Sequence, residues 1–194
     1  MRVIAGLLRG RRFSAPRGRG TRPTPDRVRE ALFSALGPLD GLTVLDLYAG
    51  SGALAIEALS RGALRAVLVE REALALKTLG RNLVDLGLEA QCQVLALAVE
   101  RAAGVVAGRG PYDLVLADPP YADRGAAPTI DRLLACPGTV SSSARLVVEH
   151  AGRDEPPALA QAELLRTRRY GDTAVSFYQL SASGGPMSGA LAAD

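Results

Sequence analysis

LTVLDLYAGSGALAIEALSRG, residues 42–62, decides the fold. An apolar strand pattern runs into a glycine turn at Gly50 and Gly52. An apolar helical pattern follows and stops at Gly62. Strands buried on both faces read as continuous apolar runs, and parallel sheets covered by helices are built from them. Strand, glycine turn and helix together form the first unit of an α/β chain.

The alternation continues downstream. RAVLVE (65–70) is a strand and REALALKTLGRNLVDLG (71–87) a helix. AQCQVLAL (90–97) is a strand, followed by a short helix, and PYDLVLAD (111–118) is the next strand. A helix near 127–135 precedes the strand ARLVVEH (144–150). AELLRTRRY (162–170) and TAVSFYQL (173–180), joined by a tight turn at Gly171 and Asp172, form an antiparallel hairpin. Upstream, PDRVREALFSALG (25–37) has Pro in its first turn, Gly37 as its stop, and Val28, Leu32 and Leu36 at helical spacing. RVIAG and RRFSA, within residues 2–15, read as a hairpin turning at Arg9 and Gly10. The expected organisation is a basic arm (1–24), a catalytic domain (25–182) and a low-complexity, flexible tail (183–194). No internal repeat is visible.

The 194 residues suffice for one domain with a substantial core. No apolar run approaches the ~18 residues of a membrane span. The apolar stretch at the N-terminus is too short for a signal peptide, so a cytoplasmic protein without membrane contact is expected. Cys92 and Cys136 read as inert thiols, and with His150 as the one histidine no metal site is expected. His150 itself reads as structural. Charge is uneven: residues 1–30 hold nine arginines and two acids, a balance of +7, while the remaining 14 basic and 18 acidic residues give −4. A basic arm on a mildly acidic body is the electrostatic footprint of a nucleic-acid binder.

Gly50, Gly52 and Ala55 fit the dinucleotide pattern, and Glu70 ends the next strand about 20 residues on, where an acid can hold ribose hydroxyls. Asp46 argues against a dinucleotide. A strand-end carboxylate facing the loop suits an ammonium and repels a pyrophosphate. S-adenosylmethionine carries an ammonium, a sulfonium and a ribose, and no phosphate. The expected cofactor contacts are Asp46, Tyr48, Ala49, Gly50, Ser51, Gly52, Glu70 and Arg71. Thr24, or Arg27, is expected near the cofactor carboxylate.

Asp118-Pro119-Pro120-Tyr121 ends the fourth parallel strand. The lone pair of an exocyclic amine on a nucleobase is delocalised into the ring. Two acceptors aimed at its hydrogens draw the nitrogen towards tetrahedral geometry and make it nucleophilic. Asp118 is one acceptor and a loop carbonyl, that of Pro119, the other. The prolines stiffen the loop and remove competing donors. Tyr121 offers a face for a flipped base.

With these motifs the chain resembles a Rossmann-like class I S-adenosylmethionine-dependent methyltransferase. More narrowly it resembles the RsmD family of bacterial 16S rRNA guanine-N2 methyltransferases. VIAGLLRGRRF, RPTPDRVREALF, LDLYAGSGALAIEALSRGA, DLVLADPPY and RRYGDTAVSFYQL carry the resemblance, from residue 3 to about 180. It implies a seven-stranded mixed sheet with an antiparallel last pair and helices on both faces. It also implies methylation of a guanine in 16S rRNA, family position 966, in an assembling 30S subunit. A monomer is the default oligomeric state, and no action on DNA is expected. Arg9, Arg11, Arg12, Arg17, Arg19 and Arg22 would contact RNA phosphates. The chain departs from the family at Leu97 and Ala98, where an Asn or Asp often meets the adenine. A DNA adenine-N6 methyltransferase is the alternative enzyme, but no insertion is large enough for target recognition. A protein glutamine methyltransferase typically has Asn in place of Asp118 and has no use for the arm. A non-catalytic RNA-binding assembly factor is the reading outside enzymology.

Overall fold

Seven strands form one sheet in the order β3-β2-β1-β4-β5-β7-β6. They are β1 (Thr43–Leu47), β2 (Arg65–Glu70), β3 (Cys92–Ala96), β4 (Tyr112–Ala117), β5 (Val140–Ala151), β6 (Ala162–Tyr170) and β7 (Thr173–Leu180). The first five are parallel, and β7 lies antiparallel between β5 and β6. The structure, a computed structural model, describes residues 1–15, 25–121 and 123–180. The expected Rossmann-like mixed sheet with its antiparallel last hairpin is present, and β4 lies beside β1. Strand order reverses between these two, so their carboxyl ends form the crevice where doubly wound sheets bind ligands.

Five helices cover the sheet: α1 (Asp26–Leu36), α2 (Ala53–Ser60), α3 (Ala73–Leu86), α4 (Ala103–Ala107) and α5 (Ala126–Leu134). Alternate side chains of each strand enter opposite cores. Val44 and Leu116 join the core under α1, α2 and α3, whereas Leu45 and Val115 join the one under α4 and α5. Asp46 and Asp118 follow Val44 and Leu116 in phase. β5 begins four residues earlier than the apolar run at 144–150 suggests. Val140 pairs with Tyr112 ahead of a register shift, an extension without an apolar signal in VSSS.

The N-terminal hairpin is shorter than expected. Its base pairs through Val3 N–H to Arg11 O and Phe13 N–H to Met1 O, with a single bridge between Arg2 and Arg12. The tip leaves its partner because α2 takes its backbone donors. Ile4 and Ala5 N–H donate to Glu57 Oε2 and Oε1 at 2.8 and 3.1 Å, and Leu7 and Leu8 N–H to Ser60 O and Oγ at 2.7 and 3.0 Å. Gly6, at φ 82°, makes this approach possible, since a Cβ there would stand 1.7 Å from Ser60 O. Val3 and Phe13 are buried in the same core as α1 and α2. Residues 1–15 are thus docked along two helices.

His150 is structural, as expected. Its Nδ1 lies 3.1 Å from Ala151 O and so carries the proton, leaving Nε2 to accept from Ser176 Oγ at 2.8 Å. Burial lowers its pKa and keeps the ring neutral. Burial also pushes the Cys92 thiol up to about 12, and both cysteines are free.

Candidate active site

The carboxyl ends of β1, β2 and β4 bring the sequence-selected residues together. After Leu47 the chain turns through Tyr48, whose φ of 61° is the one positive value outside glycine among the described residues. A bulky residue held there is strained, and such strain clusters at functional loops. Gly50 and Gly52 continue the turn at φ 57° and 82°. A Cβ on Gly52 would stand 2.5 Å from Leu79 Cδ1, so close packing on α3 also requires glycine there.

Asp46 departs from expectation. It does not face the open loop but is buried beneath it at 1% exposure, and Oδ2 accepts from Ala55 N–H at 3.0 Å. Gly52, the N-cap of α2, has no side chain to satisfy the first-turn amides, so Asp46 supplies that acceptor from the neighbouring strand. Burial pushes its carboxyl up to about 7, the Ala55 N–H opposes this, and the Glu70 charge adds to it. Among the described residues no cation pairs with Asp46. A buried carboxylate poised near neutrality without a counter-ion fits the ammonium of S-adenosylmethionine.

Glu70 sits at the end of β2. Its Oε2 accepts from Gly50 N–H at 2.7 Å, and Oε1 from Arg71 and Glu72 N–H, each at 2.7 Å. The acid thereby ties the glycine loop to the β2 end and keeps acceptor capacity at Oε2 for a hydroxyl. The Arg71 guanidinium lies 3.9 Å from Glu100. Ala49 N–H donates to Val69 O, and Ser51 is buried with Oγ 3.9 Å from Met1 Sδ. The buried Tyr48 hydroxyl has no partner among the described residues, and burial raises its pKa well above the ordinary value. Leu97 packs against the core under α4 and α5.

Asp118 directly follows β4, and its N–H lies 3.4 Å from Leu47 O, which holds it beside the end of β1. Pro119 is buried; Pro120 and Tyr121 are exposed. The Pro120 carbonyl accepts from Asp123 N–H at 2.8 Å and is committed to that turn. Tyr121 is 47% exposed, yet its hydroxyl is fixed, 3.2 Å from Glu149 Oε1 and 2.8 Å from Thr173 Oγ1. Burial, with the Glu149 and Asp118 charges, pushes it up to about 12, so it stays neutral. An aromatic face is thus presented to solvent beside Asp118 on a rigid mount.

The arm residues divide. Arg11 is exposed and has a second use: its guanidinium donates to Asp85 O and Leu86 O at the C-terminus of α3, where unpaired carbonyls and the helix dipole favour a cation. Arg9 and Arg12 are exposed. Arg27 lines a groove of about 400 Å³ with Arg2, Arg9, Asp26 and Glu30. Arg17, Arg19, Arg22 and Thr24 lie outside the described residues. Two residues essential to this geometry escaped sequence reasoning, Glu57 and Asn82. Asn82 and Glu57 had a signal. Asn82 is polar within the apolar stripe of Ala75, Leu79, Leu83 and Leu86, and Glu57 is the one charge between Gly52 and Arg61.

A sheet of order 3-2-1-4-5-7-6, a glycine loop after β1, an acid ending β2 and Asp-Pro-Pro-Tyr after β4 define an S-adenosylmethionine-dependent methyltransferase of the Rossmann-like class. A family model described as conserved hypothetical protein 95 matches residues 1–179, and the chain belongs to that family, the RsmD family. Ribosomal RNA small subunit methyltransferase D of Escherichia coli (strain K12) is 36% identical over 187 residues, covering 95% of this chain and 92% of the relative. A solved structure of a hypothetical protein from Thermus thermophilus superposes with a TM-score of 0.77 at 34% identity, covering 93% of this chain and 99% of that one. The rRNA methyltransferase aviRa from Streptomyces viridochromogenes shares the fold, with a TM-score of 0.66 at 17% identity, covering 86% and 88%.

Proposed function

We propose that this protein methylates the exocyclic N2 amine of a guanine in 16S rRNA, acting as a monomer in the cytoplasm on the assembling 30S subunit. The observation that carries the reading is the pairing of Asp118, beside the glycine loop, with a half-exposed Tyr121 ring anchored through Glu149 and Thr173. The identity to a small-subunit rRNA methyltransferase over nearly the whole chain supports the substrate class.

S-adenosylmethionine supplies an electrophilic methyl group. The chain holds it through the Gly50–Gly52 loop, Glu70 on the ribose and Asp46 on the ammonium. Tyr121 stacks the base. Asp118 accepts hydrogen bonds from the amine, and the Pro119 carbonyl is the second acceptor, since that of Pro120 is already engaged. Guanine presents N1–H and the N2 amine as adjacent donors, and a carboxylate accepts from both, whereas an amide side chain offers one acceptor. Alignment and electrostatics supply most of the acceleration. Arg9, Arg12 and the basic groove at Arg27 hold phosphates and give salt-dependent affinity.

The test uses methyl-labelled S-adenosylmethionine with unmodified small-subunit particles, naked 16S rRNA, duplex DNA and a protein substrate in separate lanes. Label is expected in the RNA, recovered after digestion as N2-methylguanosine. Label confined to the DNA or protein lane would overturn the reading.

Asp46 makes cofactor binding depend on pH. A bound ammonium favours the ionised carboxyl, so binding releases a proton and affinity rises between about pH 5.5 and 7.5. Asp46→Asn is expected to bind more weakly at pH 7.5 and to lose this slope, as read by calorimetry. Stability moves the other way. The folded carboxyl, raised to about 7, keeps a proton that the unfolded chain releases near 3.8, so its contribution is full below about 4 and lost by about 7. The variant lacks that loss, and its Tm advantage should appear as pH rises towards 7. A parallel pH dependence in both proteins would refute the assignment.

A further inference from the structure

Asn82 on α3 is fully buried and makes three hydrogen bonds across three parts of the chain. Its Oδ1 accepts from Ser14 N–H at 2.8 Å. Its Nδ2 donates to Ser14 O at 2.9 Å and to Ser51 O at 3.0 Å. One partner is a donor and two are acceptors, so the network itself sets the orientation of the amide. Asn82 is therefore the point where the docked N-terminal segment and the glycine loop meet on one side chain.

Ser51 O belongs to the peptide that leads into Gly52, a residue in the left-handed region. Glycine on one side makes rotation of such a peptide plane inexpensive, and a glycine loop needs an outside group to hold one orientation. Glu70 performs this for the Ala49–Gly50 plane through Gly50 N–H, and Asn82 for the Ser51–Gly52 plane. The same helix receives Arg11 at its C-terminal carbonyls, so residues 11–14 are fastened to α3 at two points.

We propose that Asn82 is a positioning residue of the cofactor site: it holds the Ser51–Gly52 peptide in the orientation that S-adenosylmethionine binds, and it makes that orientation depend on the docked segment 1–15. The inference rests on the assignment of the glycine loop to the cofactor. It explains why an amide stands in an apolar stripe. A leucine shares the branching but would leave Ser14 N–H and two carbonyls without this partner.

Asn82→Asp is the informative substitution. It keeps the acceptor for Ser14 N–H and turns the second oxygen against two carbonyls. S-adenosylmethionine should bind about tenfold more weakly at pH 8, with KM for the cofactor raised and kcat within about threefold, because Asp118 is untouched. As pH falls to 6 the buried carboxyl regains a proton, donates again, and the variant-to-parent ratio of Kd should shrink towards one. Taking the ratio removes the contribution of Asp46 and Glu70, which both proteins share. Asn82→Ala, which leaves no charge, should show a rise of about fivefold with no pH dependence in the ratio, and it keeps the test available if the aspartate variant does not fold. A lowered Tm with an unchanged Kd ratio in either folded variant would make Asn82 a purely structural residue and overturn the proposal. Failure of the parent protein to bind S-adenosylmethionine would instead overturn the cofactor assignment.

Discussion

Asp118→Ala is expected to lower kcat about a thousandfold or more while the Kd for S-adenosylmethionine stays within about threefold of the parent. Removing one preorganised group aimed at the reacting centre costs on the order of 10²–10³ in rate. In the proposed mechanism the same group also activates the nucleophile, a role worth about 10²–10⁴ on its own. In the proposed assignment the cofactor is held by other residues, namely the Gly50–Gly52 loop, Glu70 and Asp46. Asp118 meets that assembly through the backbone contact of its N–H with Leu47 O, which the substitution retains. Single-turnover methyl transfer and calorimetry on the same preparation separate the two quantities. Asp118→Asn, which keeps one acceptor oxygen, should lose less. Equal loss of rate and cofactor affinity would show that Asp118 shapes the site without touching the amine.

Glu57→Ala is expected to destabilise the protein by about 3–5 kcal/mol, the cost of breaking a buried pair by removing one partner. Glu57 is 1% exposed and accepts from Ile4 N–H, Ala5 N–H and, at 2.8 Å, Arg61 Nε. Arg29 Nε lies 3.9 Å away, and Arg29 is fully buried with Nε and Nη1 making no hydrogen bond among the described residues. Burial already lowers the Arg29 pKa, and the Glu57 charge is the largest effect opposing that. Truncation therefore leaves two backbone donors unsatisfied and the buried cation with Asp26, 3.1 Å from its Nη2, as its remaining counter-charge. For a chain of this size the melting temperature should fall by roughly 10 °C. The N-terminal segment should also become sensitive to limited proteolysis ahead of the sheet. A shift under about 3 °C, with the segment still protected, would show that Val3 and Phe13 alone hold it.

The two substitutions probe features of different legibility. Asp118 was readable because its chemistry is local: an acid, two prolines and an aromatic in succession at the end of an apolar strand. The glycine turn and Glu70 were readable for the same reason, as were the helices and six of the seven strands close to their observed bounds. The start of β5 was not, because VSSS has no apolar period and is held by pairing with β4. Glu57 and Asn82 showed only that something polar stood in an apolar surface. Their partners lie more than 50 residues away in the chain, and no periodicity reports on a contact of that separation.

Residue types alone showed one purpose where a side chain serves two. Arg11 stands among arginines and reads as a phosphate contact, but a helix C-terminus with unpaired carbonyls lies within its reach. Asp46 reads as a ligand for an ammonium, and the structure adds the capping of α2 and the burial that moves its proton towards neutral pH. By itself the sequence determined the class of fold and marked the glycine loop and the Asp-Pro-Pro-Tyr tetrapeptide, because periodicity, glycine conformation and proline stiffness act over a few residues. Only the tertiary structure decided which charges are spent internally, how the basic arm lies along α2 and α3, and which side chains hold the loop. Those outcomes depend on buried donors and acceptors finding partners, and the chain settles that only once its distant segments are packed together.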